Sequence, residues 1–142
     1  MHTMLESLED RRLISSPHYV AGPTFTDNGT TLTASGSVAG LGNEDVTVLL
    51  NATGTATVVG VNPAGNVAPG QTQDVNVSGT QTITDVKNGR VNFSVTTIEP
   101  TATNAGLPNK KWTPVVTDVD FTGATLSVQQ GGQTVLTNTV QL

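Results

Sequence analysis

Cysteine is absent from the chain, which removes disulfides and thiolate chemistry together. Charge is also scarce, at 12% of residues. The six cations, Arg11, Arg12, Lys87, Arg90, Lys110 and Lys111, are too few for a basic patch, and the net charge is −5. Nucleic acid is therefore not an expected partner, since phosphate binding needs clustered Lys and Arg. No hydrophobic run approaches the roughly 18 apolar residues of a membrane span. A standard secretory leader is not expected either: Glu6, Glu9 and Asp10 precede Arg11 and Arg12, and no apolar stretch follows. The two histidines, His2 and His18, both fall in an N-terminal extension, so no scaffold-held proton shuttle is expected.

What remains is a chain that is 35% hydrophobic and takes its polarity from Thr, Asn, Ser, Gln and Gly. That bias suits strands with an uncharged solvent face and leaves little material for surface helices. Residues 80–97 carry the strongest signal. Asn88-Gly89 fits a type I′ turn, because both central residues of that turn need positive φ. The turn sets Lys87 opposite Arg90, and a hairpin extended from it sets Val86 opposite Val91, Thr84 opposite Phe93 and Thr82 opposite Val95. Period-two alternation places Val91, Phe93 and Val95 on a dry face and Asn92, Ser94 and Thr96 on a wet one. With no helix in reach, a second sheet must cover the dry face.

The same alternation recurs along the chain. Leu32, Ala34 and Val38 mark one strand; Val46, Val48, Leu50 and Ala52 mark the next, extended by residues 55–61 past a bulge or bend at Gly54. Residues 15–30 have a linker's composition, with Asp27-Asn28-Gly29 as a turn, although Tyr19, Val20 and Phe25 allow an edge strand. Residues 62–72 and 100–111 read as long loops. Val115, Val119 and Phe121 then share one face, with Val116, Asp118 and Asp120 on the other. Gly131-Gly132 suits a second tight turn, and Leu136, Val140 and Leu142 keep a parity that Val135 breaks, which a bulge near the turn resolves. The expectation is an all-β, immunoglobulin-like antiparallel β-sandwich of about seven to eight strands over residues 23–142. Residues 1–22 form a short extension, in which Met4, Leu5, Leu8, Leu13 and Ile14 allow one helical face.

Two resemblances follow from particular residues. Leu8-Glu9-Asp10-Arg11-Arg12-Leu13-Ile14 resembles the N-terminal LEPR-XLL segment of planctomycete exported and surface proteins, with Asp10 where that segment usually has Pro and Ile14 where it usually has Leu. The resemblance implies export, surface display and a sorting or processing role for the segment. The stretches Gly54-Thr55-Ala56-Thr57, Val61-Asn62-Pro63-Ala64-Gly65-Asn66, Lys87-Asn88-Gly89 and Leu107-Pro108-Asn109 are similar to a family of small secreted bacterial proteins. In that family a cysteine commonly sits just before the Val-Asn stretch and another just before the Pro-Asn stretch, at the places held here by Gly60 and Leu107. The resemblance implies that the two long loops lie side by side, held in this chain by packing alone.

Candidate chemistry is sparse. Asp118 and Asp120, two apart on one strand, project from the same face; they suit half of a calcium site or an acid pair, or simply a solvated face. Asp27, Glu44 and Asp45 could add oxygens to a calcium ion, but none sits in the full spacing of a calcium-binding loop. Trp112 either caps the core or, exposed, stacks on a sugar as a glycan- or polymer-binding platform. With no catalytic set, the expectation is a non-enzymatic extracellular or cell-surface protein with a structural, assembly or adhesion role. Its assembly would run through strand addition at a sheet edge, either residues 19–26 or residues 135–142.

Overall fold

A computed structural model describes residues 16–103 and 107–142. The expected helical face, the LEPR-like segment at residues 8–14 and His2 lie outside the described residues. Seven strands form in chain order: β1 (His18–Asp27), β2 (Leu32–Ala39), β3 (Val46–Val61), β4 (Val67–Ile83), β5 (Val91–Thr96), β6 (Thr113–Gln130) and β7 (Gln133–Gln141). They make two antiparallel sheets, β1-β2-β5 and β4-β3-β6-β7, stacked as a β-sandwich. The constant-type immunoglobulin arrangement puts the fourth strand with the first, second and fifth; here β4 pairs with β3 instead. Strand β1 starts at His18, inside the region expected to be extension and linker, so the sandwich crosses the boundary expected between residues 22 and 23.

Leucine and valine at every second position explain the layering. Val46, Val48, Leu50 and Ala52 of β3 are fully buried, as are Ala34 and Val38 of β2, and they meet Val91, Phe93 and Val95 in one core. Strand β3 keeps its inward parity without interruption from Val46 to Val58, while its neighbours adjust to it. Strand β6 carries an extra residue at Thr122, where pairing shifts between Thr53 and Gly54, and another at Thr117. Each bulge turns the following side chains over. Phe121 and Ala124 both face inward despite their opposite parity, and Val116 turns toward the core while Val115 is 40% exposed. The expected grouping of Val115 with Val119 and Phe121 is therefore corrected by the bulge at Thr117.

The hairpin at residues 80–97 is shorter than the sequence suggested. Asn88 and Gly89 do adopt positive φ, 57° and 66°, and Lys87 pairs with Arg90. Past that bridge the arms separate: Asp85 takes φ 61°, β4 pairs with β3, and β5 pairs with β2 in the other sheet. The Val86–Val91, Thr84–Phe93 and Thr82–Val95 pairs are not made, because each arm finds a longer partner elsewhere. At Gly131 and Gly132 the second turn forms with φ 64° and 78°, and Val135 is the extra residue that restores the parity of β7.

Candidate functional site

The four sheet edges differ in what protects them. The β1 edge has two register shifts and a proline, Pro23. Next to β4, the β5 edge is closed by side chains and by the chain that follows it. The Gln81 Oε1 accepts from Ser94 N (2.9 Å), and Ser78 O accepts from Ile98 N (3.0 Å). Gly79 makes that crossing possible, since a Cβ there would collide with the Thr96 carbonyl. Further along, the Gln73 side chain donates to Thr101 O and accepts from Thr103 N, both at 2.9 Å, and pins residues 101–103 beside β4.

Among the described residues the β7 edge has no such cover. Gln133–Gln141 contains neither a charged residue nor a proline. Leu142 N donates to Thr122 O (3.1 Å), which fixes the alternation: Leu136, Asn138 and Val140 turn their backbone groups toward β6, and Thr137, Thr139 and Gln141 turn theirs outward. Among the described residues these outward groups have no partner. Where β7 stops, the β1–β2 turn takes over, with Gly29 O accepting from Val119 N at 2.8 Å. The unguarded stretch is thus bounded by the Gly131-Gly132 turn at one end and by Gly29 at the other.

The outer face beside this edge is a polar sheet of short side chains. Thr125 and Thr139 hydroxyls lie 3.3 Å apart, and Asn51, Thr53, Thr122, Thr125 and Thr139 rim a shallow depression of ≈ 460 Å³. Asp118 and Asp120 are both exposed on this face, opposite Thr57 and Thr55. Asp74, which sequence reasoning missed, stands on the other side of Thr55, on β4. Only the strand pairing reveals that third acid. Asp27 lies in the β1–β2 turn, where its Oδ1 accepts from Gly29 N (2.8 Å), and Glu44 approaches Gly131 at the opposite end of the sandwich with Asp45 beside it. The five calcium candidates are split between the two ends, and among the described residues no three metal-binding side chains converge.

Trp112 is half-buried. Its Cε3 would lie 3.3 Å from a Cβ built on Gly60, and Leu107 Cδ2 would lie 2.6 Å from the same point. Positions 60 and 107 are therefore neighbours, and the absent side chain of Gly60 makes room for that of Leu107. Tyr19 packs edge-on against Phe93, ring centroids 6.3 Å apart. The Tyr19 hydroxyl is buried with no hydrogen-bond partner among the described residues, and burial raises its phenol above the ordinary range.

No protein-family model and no curated protein matches the chain. A crystal structure of Bacteroides uniformis β-glucuronidase is similar at 15% identity and a TM-score of 0.29, over 87% of this chain. The match spans 12% of that chain.

Proposed function

We propose that the protein is a non-enzymatic structural or assembly subunit of an extracellular or cell-surface layer, matrix or fibre, joined to its neighbours by β-strand addition. The observation that supports this is the contrast among the edges: three are bulged, short or covered, while β7, bulged only at Val135 beside its turn, presents an uncharged, proline-free strand whose outward groups at Thr137, Thr139 and Gln141 have no partner among the described residues. Such an edge is a template for another strand, and proteins that remain monomeric usually block it with lysine, proline or a bulge. The threonine-, asparagine- and serine-rich outer face suits a solvated surface outside the cell. The acids Asp74, Asp118 and Asp120 stand on an open sheet rather than across a cleft, which suits solvation better than hydrolysis.

Of the two segments expected to add to a neighbour, β7 suits the reading better, because two register shifts and Pro23 interrupt the free edge of residues 19–26. The test is Thr139→Lys, which puts a charge at the centre of the edge without touching the core. Sedimentation velocity should show concentration-dependent association of the unmodified chain, weakened in the lysine variant. A monomer at every concentration, or association that ignores the lysine, refutes the reading.

A further inference from the structure

We infer that the partner of the β7 edge is a second copy of the same edge, antiparallel about a twofold axis through Thr139, so that two four-stranded sheets become one. The inference rests on the assembly reading above and adds the partner and the register. The outward backbone groups belong to Thr137, Thr139 and Gln141. An antiparallel strand exchanges both hydrogen bonds at each such residue, and only pairing centred on Thr139 uses all three. Thr139 then faces the partner's Thr139, and Thr137 faces the partner's Gln141.

The side chains agree with that register on both faces. On the outer face threonine meets threonine and glutamine, a favourable cross-strand combination of uncharged groups. On the inner face the same register sets Leu142 opposite the partner's Leu136 and Val140 opposite the partner's Asn138. Leu142 is 51% exposed in the single chain, and Leu136 and Val140 are half-buried at the rim of the core. Pairing sets Leu142 against the partner's Leu136 at each end of the seam, with Val140 and Asn138 between, so the exposed leucine gains a cover that the described residues of one chain do not provide. Electrostatics points the same way. Two copies each carrying a net charge of −5 repel overall, and β7 is a strip where they approach with no acid on either strand. An isologous contact of this kind closes on itself, so the β7 edge yields a dimer, which is the building unit, and growth into a layer or fibre runs through a second contact elsewhere on that dimer.

The absence of cysteine makes the register directly testable, because a single introduced thiol has no competitor in the chain. Residues paired across such strands have Cα atoms about 5.5 Å apart, within the range a disulfide spans. Mild oxidation of the full-length Thr139→Cys variant should yield a covalent dimer. The Thr137→Cys variant alone should yield several-fold less, and mixing it with Gln141→Cys should restore cross-linking between the two. Near-ultraviolet circular dichroism of each variant before oxidation establishes that it is folded. If Thr139→Cys fails to cross-link while Thr139→Lys still weakens association, the twofold register is wrong and the assembly reading survives. If the unmodified chain stays monomeric, both fall.

Discussion

Sheet β4-β3-β6-β7 is held in two different ways along its length. In the body, residues 46–53 of β3 lie between β4 and β6, β7 extends the sheet, and the three-stranded sheet covers the inner face. Beyond Gly54 the sheet continues as a three-stranded arm, residues 54–61, 67–75 and 113–121, past the end of β7. At the base of the arm Ala56, Val119 and Phe121 still belong to the main core, and towards the tip the chain after β5 replaces the missing cover. It crosses at Gly79, is pinned by Gln73, and lays Leu107 over Gly60 and close to Gly70. Val58 records the difference: it is only 2% exposed, yet it stands outside the cluster formed by the main core. The body and the base of the arm are thus stabilised by two interlocking layers, and the tip of the arm by a strip of irregular chain. The difference teaches that a β-sheet can outrun its partner sheet when a loop supplies the second layer.

Three measurements sharpen or break this comparison. The largest effect is expected in the body. Leu126 is fully buried, and Leu126→Ala should cost about 2–5 kcal/mol, through lost burial and the cavity left behind. Urea unfolding should show a lower midpoint with an unchanged slope. In the arm, Leu107→Ala removes a half-buried side chain, and about 1–2 kcal/mol is expected, below the range for full burial. Hydrogen exchange should quicken at residues 58–61 and 67–70 and leave residues 46–53 alone; equal acceleration in both regions would show that arm and body are one cooperative unit. The smallest effect belongs to Gln73→Ala, about 1 kcal/mol for hydrogen bonds on a half-exposed surface. Its signature is faster exchange of the Thr103 amide, and an unchanged rate would mean that Gln73 does not hold the strip.

Most of the body was legible in the sequence. Alternation at Val46, Val48, Leu50 and Ala52 placed the central strand, Asn88-Gly89 and Gly131-Gly132 placed two turns, and the parity break at Val135 placed a bulge. The sheet to which each hairpin arm belongs was not legible. A turn dictates a local reversal, whereas the separation of β4 from β5 depends on the backbone at Asp85 and on longer partners far along the chain. The bulges at Thr117 and Thr122 were equally hidden, because threonine fits either face of a strand and marks neither. As for the candidate sites, the shared face of Asp118 and Asp120 followed from their spacing. The position of Asp74 across Thr55 and the covering role of Gln73 required knowledge of pairing. Alternation offers residues 19–26 and 135–142 as two possible edges; the two register shifts and Pro23 of β1, against one shift in β7, distinguish them.

The contact between Leu107 and Gly60 has a consequence for how the tip of the arm answers its surroundings. A staple made of sulfur would respond to reductant and ignore moderate warming; a leucine seated over a glycine does the reverse. Closure of this tip is therefore blind to redox potential and sensitive to solvent and temperature. Denaturant should release it before the rest of the domain yields.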